Sequence, residues 1–169
     1  MTCIAAAVSG SVVWMGADSV HASSHALYAR DEPKIFQNGD MLIGEAGCVR
    51  VGQLLEHAFV PPEHSPRKSD LAYLVTEFIP AVRATVEKQE NWTLLIGYRG
   101  RLYEVYSDFQ IGRVGADYSA IGSGAAVAKG ALCVLNREDP RTRIERALAA
   151  AAAHVPDVGP PWVIRSLPP

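Results

Sequence analysis

Met1-Thr2-Cys3-Ile4-Ala5-Ala6-Ala7-Val8-Ser9-Gly10-Ser11-Val12-Val13-Trp14-Met15-Gly16-Ala17-Asp18-Ser19 decides how this chain is read. Cys3 to Val8 is a continuous run of small apolar residues, Ser9-Gly10 is a turn signal, and Val12 to Ala17 is a second apolar run. Together they predict a β-hairpin. With a two-residue Ser9-Gly10 loop Thr2 faces Ala17; with a three-residue loop that includes Ser11 it faces Asp18, and only that register puts both side chains on one face. Either register makes the Thr2 and Asp18 backbones neighbours, with opposed Cα atoms about 4.5–5.5 Å apart. A hydroxyl, an α-nitrogen and a carboxylate thus share one hairpin.

If Met1 is removed, Thr2 carries a nucleophile and a base on one residue. A free α-amine has a pKa of about 7.7–8.0, so much of it is unprotonated at neutral pH and can take the hydroxyl proton, directly or through a water. No histidine is then required.

The chain has 169 residues, 49% of them apolar, which suits a single domain over 1–169 that buries roughly 70% of its unfolded surface. With 16 basic and 18 acidic residues spread along it, there is no basic stripe for nucleic acid or an anionic membrane. No apolar run reaches the length of a membrane span, and the first residues lack a signal peptide's pattern, so a cytoplasmic protein is expected. Cys3, Cys48 and Cys133 are odd in number and without C-x-x-C spacing, which argues against a disulfide framework or a zinc site. His21 and His25 have a ligand-like interval but sit in a loop-like Ala/Ser segment. Neither a metal nor a cofactor is expected.

Along the rest of the chain, Val20 to Glu32 reads as polar and irregular, able to lie over a site opening. Pro33 introduces an extended Lys34-Ile35-Phe36, and Asn38-Gly39 signals a hairpin returning through Met41 to Ala46, in which Lys34 would pair with Ile43. After Gly47 the period changes: Val51, Leu54, Leu55, Ala58 and Phe59 follow at helical spacing. A prolyl loop ends at Ser69, the cap of a second helix whose apolar stripe runs from Leu71 and Val75 to Val82 and Val86, with a kink expected at Pro80. Strands return at Trp92 to Tyr98 and Leu102 to Tyr106, joined at Arg99-Gly100, and around Phe109 to Val114 and Tyr118 to Ile121. Gly122-Ser123-Gly124 opens a helix over Ala125 to Asn136, Asp139-Pro140 starts another to His154, and Trp162 to Leu167 is a closing strand. Sheet block, helix pair, sheet block and helix pair describe an α+β fold, a four-layer αββα sandwich.

These residues resemble the proteasome β-subunit and the HslV-type peptidases of the N-terminal-nucleophile (Ntn) hydrolases. The resemblance is carried by Thr2, by Gly16-Ala17-Asp18-Ser19, by Lys34 before an Asn-Gly hairpin, by Gly44-Glu45-Ala46-Gly47 and Ile121-Gly122-Ser123-Gly124 entering helices, and by Asp157. The intervals among Thr2, Asp18 and Lys34 are its specific part. It implies that Thr2 is the nucleophile with its own amine as base, that Lys34 lowers the pKa of hydroxyl and amine, and that Asp18 holds Lys34. It further implies that the Gly47 N–H is the oxyanion donor, and that Ser123 and Asp157 order the amine and its water. A charged lysine favours the alkoxide-like form, and a fixed N–H stabilises a tetrahedral oxyanion by roughly 3–4 kcal/mol in comparable sites. The chain departs from the family at Glu45, which puts a charge beside the oxyanion glycine, at Val20-His21-Ala22-Ser23, and at Val158-Gly159-Pro160-Pro161.

The resemblance therefore implies a threonine endopeptidase acting on peptides or unfolded proteins, active after removal of Met1 alone, assembled as a homo-oligomeric ring and served by an ATP-dependent unfoldase. Taken singly, each residue has a structural reading: Asp18 can end a strand, Lys34 can guard a sheet edge, and Gly47 and Gly122 can be junction glycines. The joint pattern carries the inference. The alternatives are a catalytically silent proteasome-like assembly protein, favoured by retention of Met1, and an Ntn amidohydrolase acting on a small amide, favoured by a monomer or dimer.

Overall fold

In the computed structural model, which describes residues 2–22, 27–29, 31–86 and 89–169, the apolar runs after Thr2 form β1 (Cys3–Ser9) and β2 (Val12–Ala17). β1 reads as unbroken apolar sequence because both of its faces are covered. Cys3, Ala5 and Ala7 join one buried cluster and Ile4 and Ala6 another, in the alternation of a strand.

Two antiparallel sheets follow. The first has the order β10 (Tyr118–Gly122), β1, β2, β11 (Val163–Leu167). The second runs β5 (Ile35–Asn38), β6 (Met41–Ala46), β7 (Thr93–Tyr98), β8 (Arg101–Tyr106) and β9 (Ile111–Arg113). Ile4, Met15, Ile35, Leu42 and Leu95 fill the space between them. On the outer face of the second sheet lie α1 (Val49–His57), α2 (Asp70–Tyr73) and α3 (Ile79–Val86), packed with the Leu74–Phe78 turn between the last two through Val51, Leu55, Leu74, Phe78 and Val82. On the outer face of the first lie α4 (Ala125–Val134) and α5 (Pro140–His154), whose Ala128, Ala147 and Ala151 allow close approach to the alanines of β1. The layers are thus helix, sheet, sheet, helix, as the sequence predicts. No helix among the described residues is long and apolar enough to cross a membrane.

Both expected hairpin registers at the site need correcting, for one reason. β1 pairs with β2 through Ile4 opposite Ala17 and Ser9 opposite Val12, so the loop is Gly10-Ser11. Thr2 therefore faces neither Ala17 nor Asp18; it is Cys3 whose carbonyl accepts the Asp18 N–H at 3.1 Å. Likewise β5 and β6 close through Asn38 opposite Met41, around Gly39-Asp40, so Lys34 lies beside Glu45 rather than Ile43. In each loop glycine takes the first position, at φ 61° for Gly10 and 57° for Gly39, whereas the expected Xaa-Gly loop puts it second. At Arg99-Gly100 both residues have positive φ, and the expected two-residue loop is found.

Three other expectations change. Val20 to Glu32 contains a short hairpin, β3 (Val20–Ala22) with β4 (Leu27–Ala29), rather than irregular chain throughout; residues 23–26 and 30 of that stretch lie outside the described residues. Ahead of Pro80, residues Leu74–Phe78 wind as a π-helix, and this wider turn takes up the interruption expected as a kink. Leu71 and Val75 come out exposed on its far side instead of joining the buried stripe. Ser69 and Asp139 cap as expected, accepting the N–H groups of Ala72 and Thr142.

Candidate active site

The start of β1, the ends of β2, β6 and β10 and the start of β5 lie at one end of the paired sheets, because these strands are antiparallel neighbours. The buried polar side chains gather there. Among the described residues they are Thr2, Asp18, Ser19, Lys34 and Glu45, with Ser119 and Arg143 elsewhere. The last two are matched, Ser119 by Glu104 and Arg143 by Asp117 and the Leu132 carbonyl.

Asp18 is the fixed point of the cluster. Its Oδ1 accepts the Cys3 N–H at 2.8 Å and the Lys34 ammonium at 2.8 Å, and its Oδ2 accepts the Val20 N–H at 3.1 Å. Lys34 also donates to the Val20 carbonyl at 2.6 Å. A buried ion pair is tolerated only when its remaining donors and acceptors are met, and backbone groups on either side of Asp18 meet them here. Burial pulls the Lys34 ammonium below the usual lysine range, and the hydrogen bond and charge of Asp18 oppose that shift. Cys3, beside them, is pushed up to about 12 by burial and by the Asp18 charge, so it is a packing thiol and no rival nucleophile.

Thr2 is buried at the head of β1. Its N–H donates to Ser123 Oγ at 3.3 Å, and the Ser123 hydroxyl donates to the Thr2 carbonyl at 3.2 Å. The Gly124 N–H reaches the same carbonyl at 3.4 Å. This approach requires Gly122, at φ 91°, since a Cβ there would collide with the Thr2 carbonyl oxygen. Gly47, at φ 118° and exposed, turns the chain from β6 into α1. Asp157 is half-buried in the turn after α5, where the neighbouring Gly159 carbonyl accepts the Ser19 N–H; among the described residues its carboxylate bonds neither Thr2 nor Ser123.

The structure therefore brings Thr2, Asp18, Lys34 and Ser123 together, leaves Gly47 at the rim, and sets Asp157 apart from the bonded group. What the sequence reading missed are backbone groups, the Cys3 N–H and both polar atoms of Val20, and the degree of burial of Glu45. Glu45 alternates with Met41 and Ile43 on the face of β6 beneath α1, and Lys34, alternating with Phe36, shares that face. Burial raises the Glu45 carboxyl to about 7, against the lowering effects of the nearby Cys48 backbone N–H and of the Lys34 charge. The strand period was the available signal, since residues 41, 43 and 45 must face alike. Among the described residues no group of three His, Cys, Asp or Glu side chains is placed to hold a metal ion.

No family model matches the sequence, and no match is found among curated proteins. Solved structures do match. BPH from Thiobacillus denitrificans superposes with a TM-score of 0.80 at 18% identity, covering 99% of this chain and 100% of that one. The same protein in complex with epoxomicin gives 0.76 at 16% identity, over 99% and 100% of the two chains. HslV from Trypanosoma brucei gives 0.73 at 18%, again over 99% and 100%, and Anbu, an ancestral beta-subunit from Yersinia bercovieri, 0.70 at 16%, over 99% of this chain and 82% of that one. At these identities the likeness establishes the fold: the chain has the αββα architecture of the HslV- and proteasome-like Ntn proteins along its length.

Proposed function

We propose that this chain is a threonine-type hydrolase that cleaves peptide bonds through Thr2 once Met1 has been removed. The observation that carries the reading is the buried Asp18–Lys34 pair, tied at 2.8 Å to the N–H of the residue next to Thr2. A buried cation held through Asp18 to the residue after Thr2, which carries a hydroxyl and an α-nitrogen together, is a costly arrangement for a purely structural purpose.

In the reaction the Thr2 amine takes the proton of Oγ1 as that oxygen attacks the substrate carbonyl carbon, and Ser123 holds the nitrogen in place. The Lys34 charge favours the alkoxide-like oxygen, and the Gly47 N–H stabilises the tetrahedral oxyanion. The C–N bond then breaks, the leaving amine accepts the proton held on the Thr2 nitrogen, and an ester to Thr2 remains. Water, deprotonated by the same amine, hydrolyses that ester and restores the hydroxyl. Asp157 is assigned to ordering that water. Neither metal nor cofactor takes part.

A homo-oligomeric ring that encloses the site, working in the cytoplasm on unfolded protein delivered by an ATP-dependent unfoldase, completes the reading, on the strength of the resemblance to HslV-type proteins. The test is Thr2→Ala, which should reduce peptide hydrolysis to background while leaving the circular dichroism spectrum and elution volume unchanged. Retained hydrolysis would remove Thr2 from the mechanism.

A further inference from the structure

Beside the catalytic cluster, and sharing Lys34 with it, is a cavity of about 170 Å³ under α1. Phe36, Pro33 and Val49 give it apolar walls, and Glu32, Glu45 and Glu56 give it three carboxylates. The one lysine among its lining residues already meets Asp18 at 2.8 Å and the Val20 carbonyl at 2.6 Å. Acidic residues on a rim would say little alone. Glu45 is different: it is only 6% exposed, and its Oε1 has no hydrogen-bond partner. A buried carboxylate oxygen without a donor is unfavourable, and the lack is made good when a ligand brings the donor. Gly52 of α1 lies over this carboxylate, where an added Cβ would stand 3.5 Å from the Glu45 Cβ and 3.7 Å from Oε2, so the absent side chain keeps the cavity open above the acid.

We propose that this cavity receives a cationic side chain of the lysine or arginine type, belonging to the substrate residue whose carbonyl Thr2 attacks, with Glu45 Oε1 as acceptor at its base. The apolar walls suit the methylene stem, and Glu32 and Glu56 stand near the rim. The assignment of that side chain to the attacked residue rests on Thr2 being the nucleophile; binding of the cation does not. Charge on Glu45 is set against Lys34 just ahead of β5, His57 and Glu56 from α1, His21 from β3 and Glu32, and the cation adds positive charge where the lining carries three carboxylates and one lysine.

Binding is therefore read apart from turnover. Acetylated tripeptide amides ending in lysine, norleucine or glutamine are titrated into the full chain by NMR, with wild-type protein and with Glu45→Gln. The lysine peptide should bind roughly ten- to a hundred-fold tighter than the norleucine peptide, the range of a hydrogen bond to a charged group. The ratio should fall to about one in Glu45→Gln, by loss of the ionised acceptor. Gly52→Val fills the cavity without changing charge and should weaken both peptides. Equal affinities, no binding of the lysine peptide, preference for glutamine, or a lysine advantage that survives Glu45→Gln would each overturn the proposal. Cleavage of the same peptides is followed in parallel. Discrimination without cleavage would keep the cation site and remove the hydrolase, whereas cleavage without discrimination would do the reverse.

Discussion

Asp18 and Glu45 are two buried carboxylates on either side of one lysine, and they are treated in opposite ways. Asp18 receives two backbone N–H groups and the Lys34 ammonium, so both of its oxygens are engaged. Glu45 has no such set of donors, and its Oε1 receives nothing. The first is a finished structural unit that fixes a cation. The second is poised for a group that comes from outside. In the proposed reading the difference separates the part of the site that performs chemistry from the part that chooses a substrate, although both lie at the same end of the paired sheets.

The comparison breaks most visibly at the lysine. Lys34→Ala should lower kcat about a thousand-fold, within the range for loss of a positioned group that assists proton transfer, while the fold persists because Asp18 keeps its backbone donors. Unchanged turnover would make the pair merely structural. Asp18→Ala should act on both activity and fold: it strands a buried ammonium, at a cost of about 3–5 kcal/mol in urea denaturation. A loss below about 1 kcal/mol would show that water already reaches the pair.

Glu45→Gln should show the opposite sign. A carboxyl whose folded pKa is about 7 keeps its proton on folding, so its contribution to stability is fully present below pH 4.5 and is lost as pH rises through 7. Between about pH 4 and about pH 8 the wild type should therefore lose on the order of 3 kcal/mol relative to Glu45→Gln. Parallel stability profiles for the two proteins would mean that the carboxylate is solvated.

Much of this was legible in the chain. Runs with two-sided apolar character gave the strands, Ser69 and Asp139 gave helix starts, and the order of blocks gave the four layers. Register was not legible. Ser9-Gly10-Ser11 and Asn38-Gly39-Asp40 each admit glycine as the first or the second loop residue, and local sequence does not choose. Packing of Met15 and Ile43 into different layers settles it. Thr2 and Asp18 could be named as candidates because a hydroxyl and a carboxylate stand at the strand ends of one hairpin, whereas Lys34 and Ser123 are named through the resemblance to the proteasome-like family. Backbone donors such as the Cys3 and Val20 N–H groups carry no residue-type signal at all. Glu45 could be named as a charge beside a glycine, whereas its unmet oxygen depends on where α1 comes to lie.

The most direct measurement is the intact mass of the purified protein before and after incubation with epoxomicin, with the adduct mapped by peptide fragmentation. The account predicts loss of Met1 and one adduct, at Thr2, that fails to form in Lys34→Ala. A chain that keeps Met1 and takes no adduct would contradict it and leave a proteasome-like fold without its reaction.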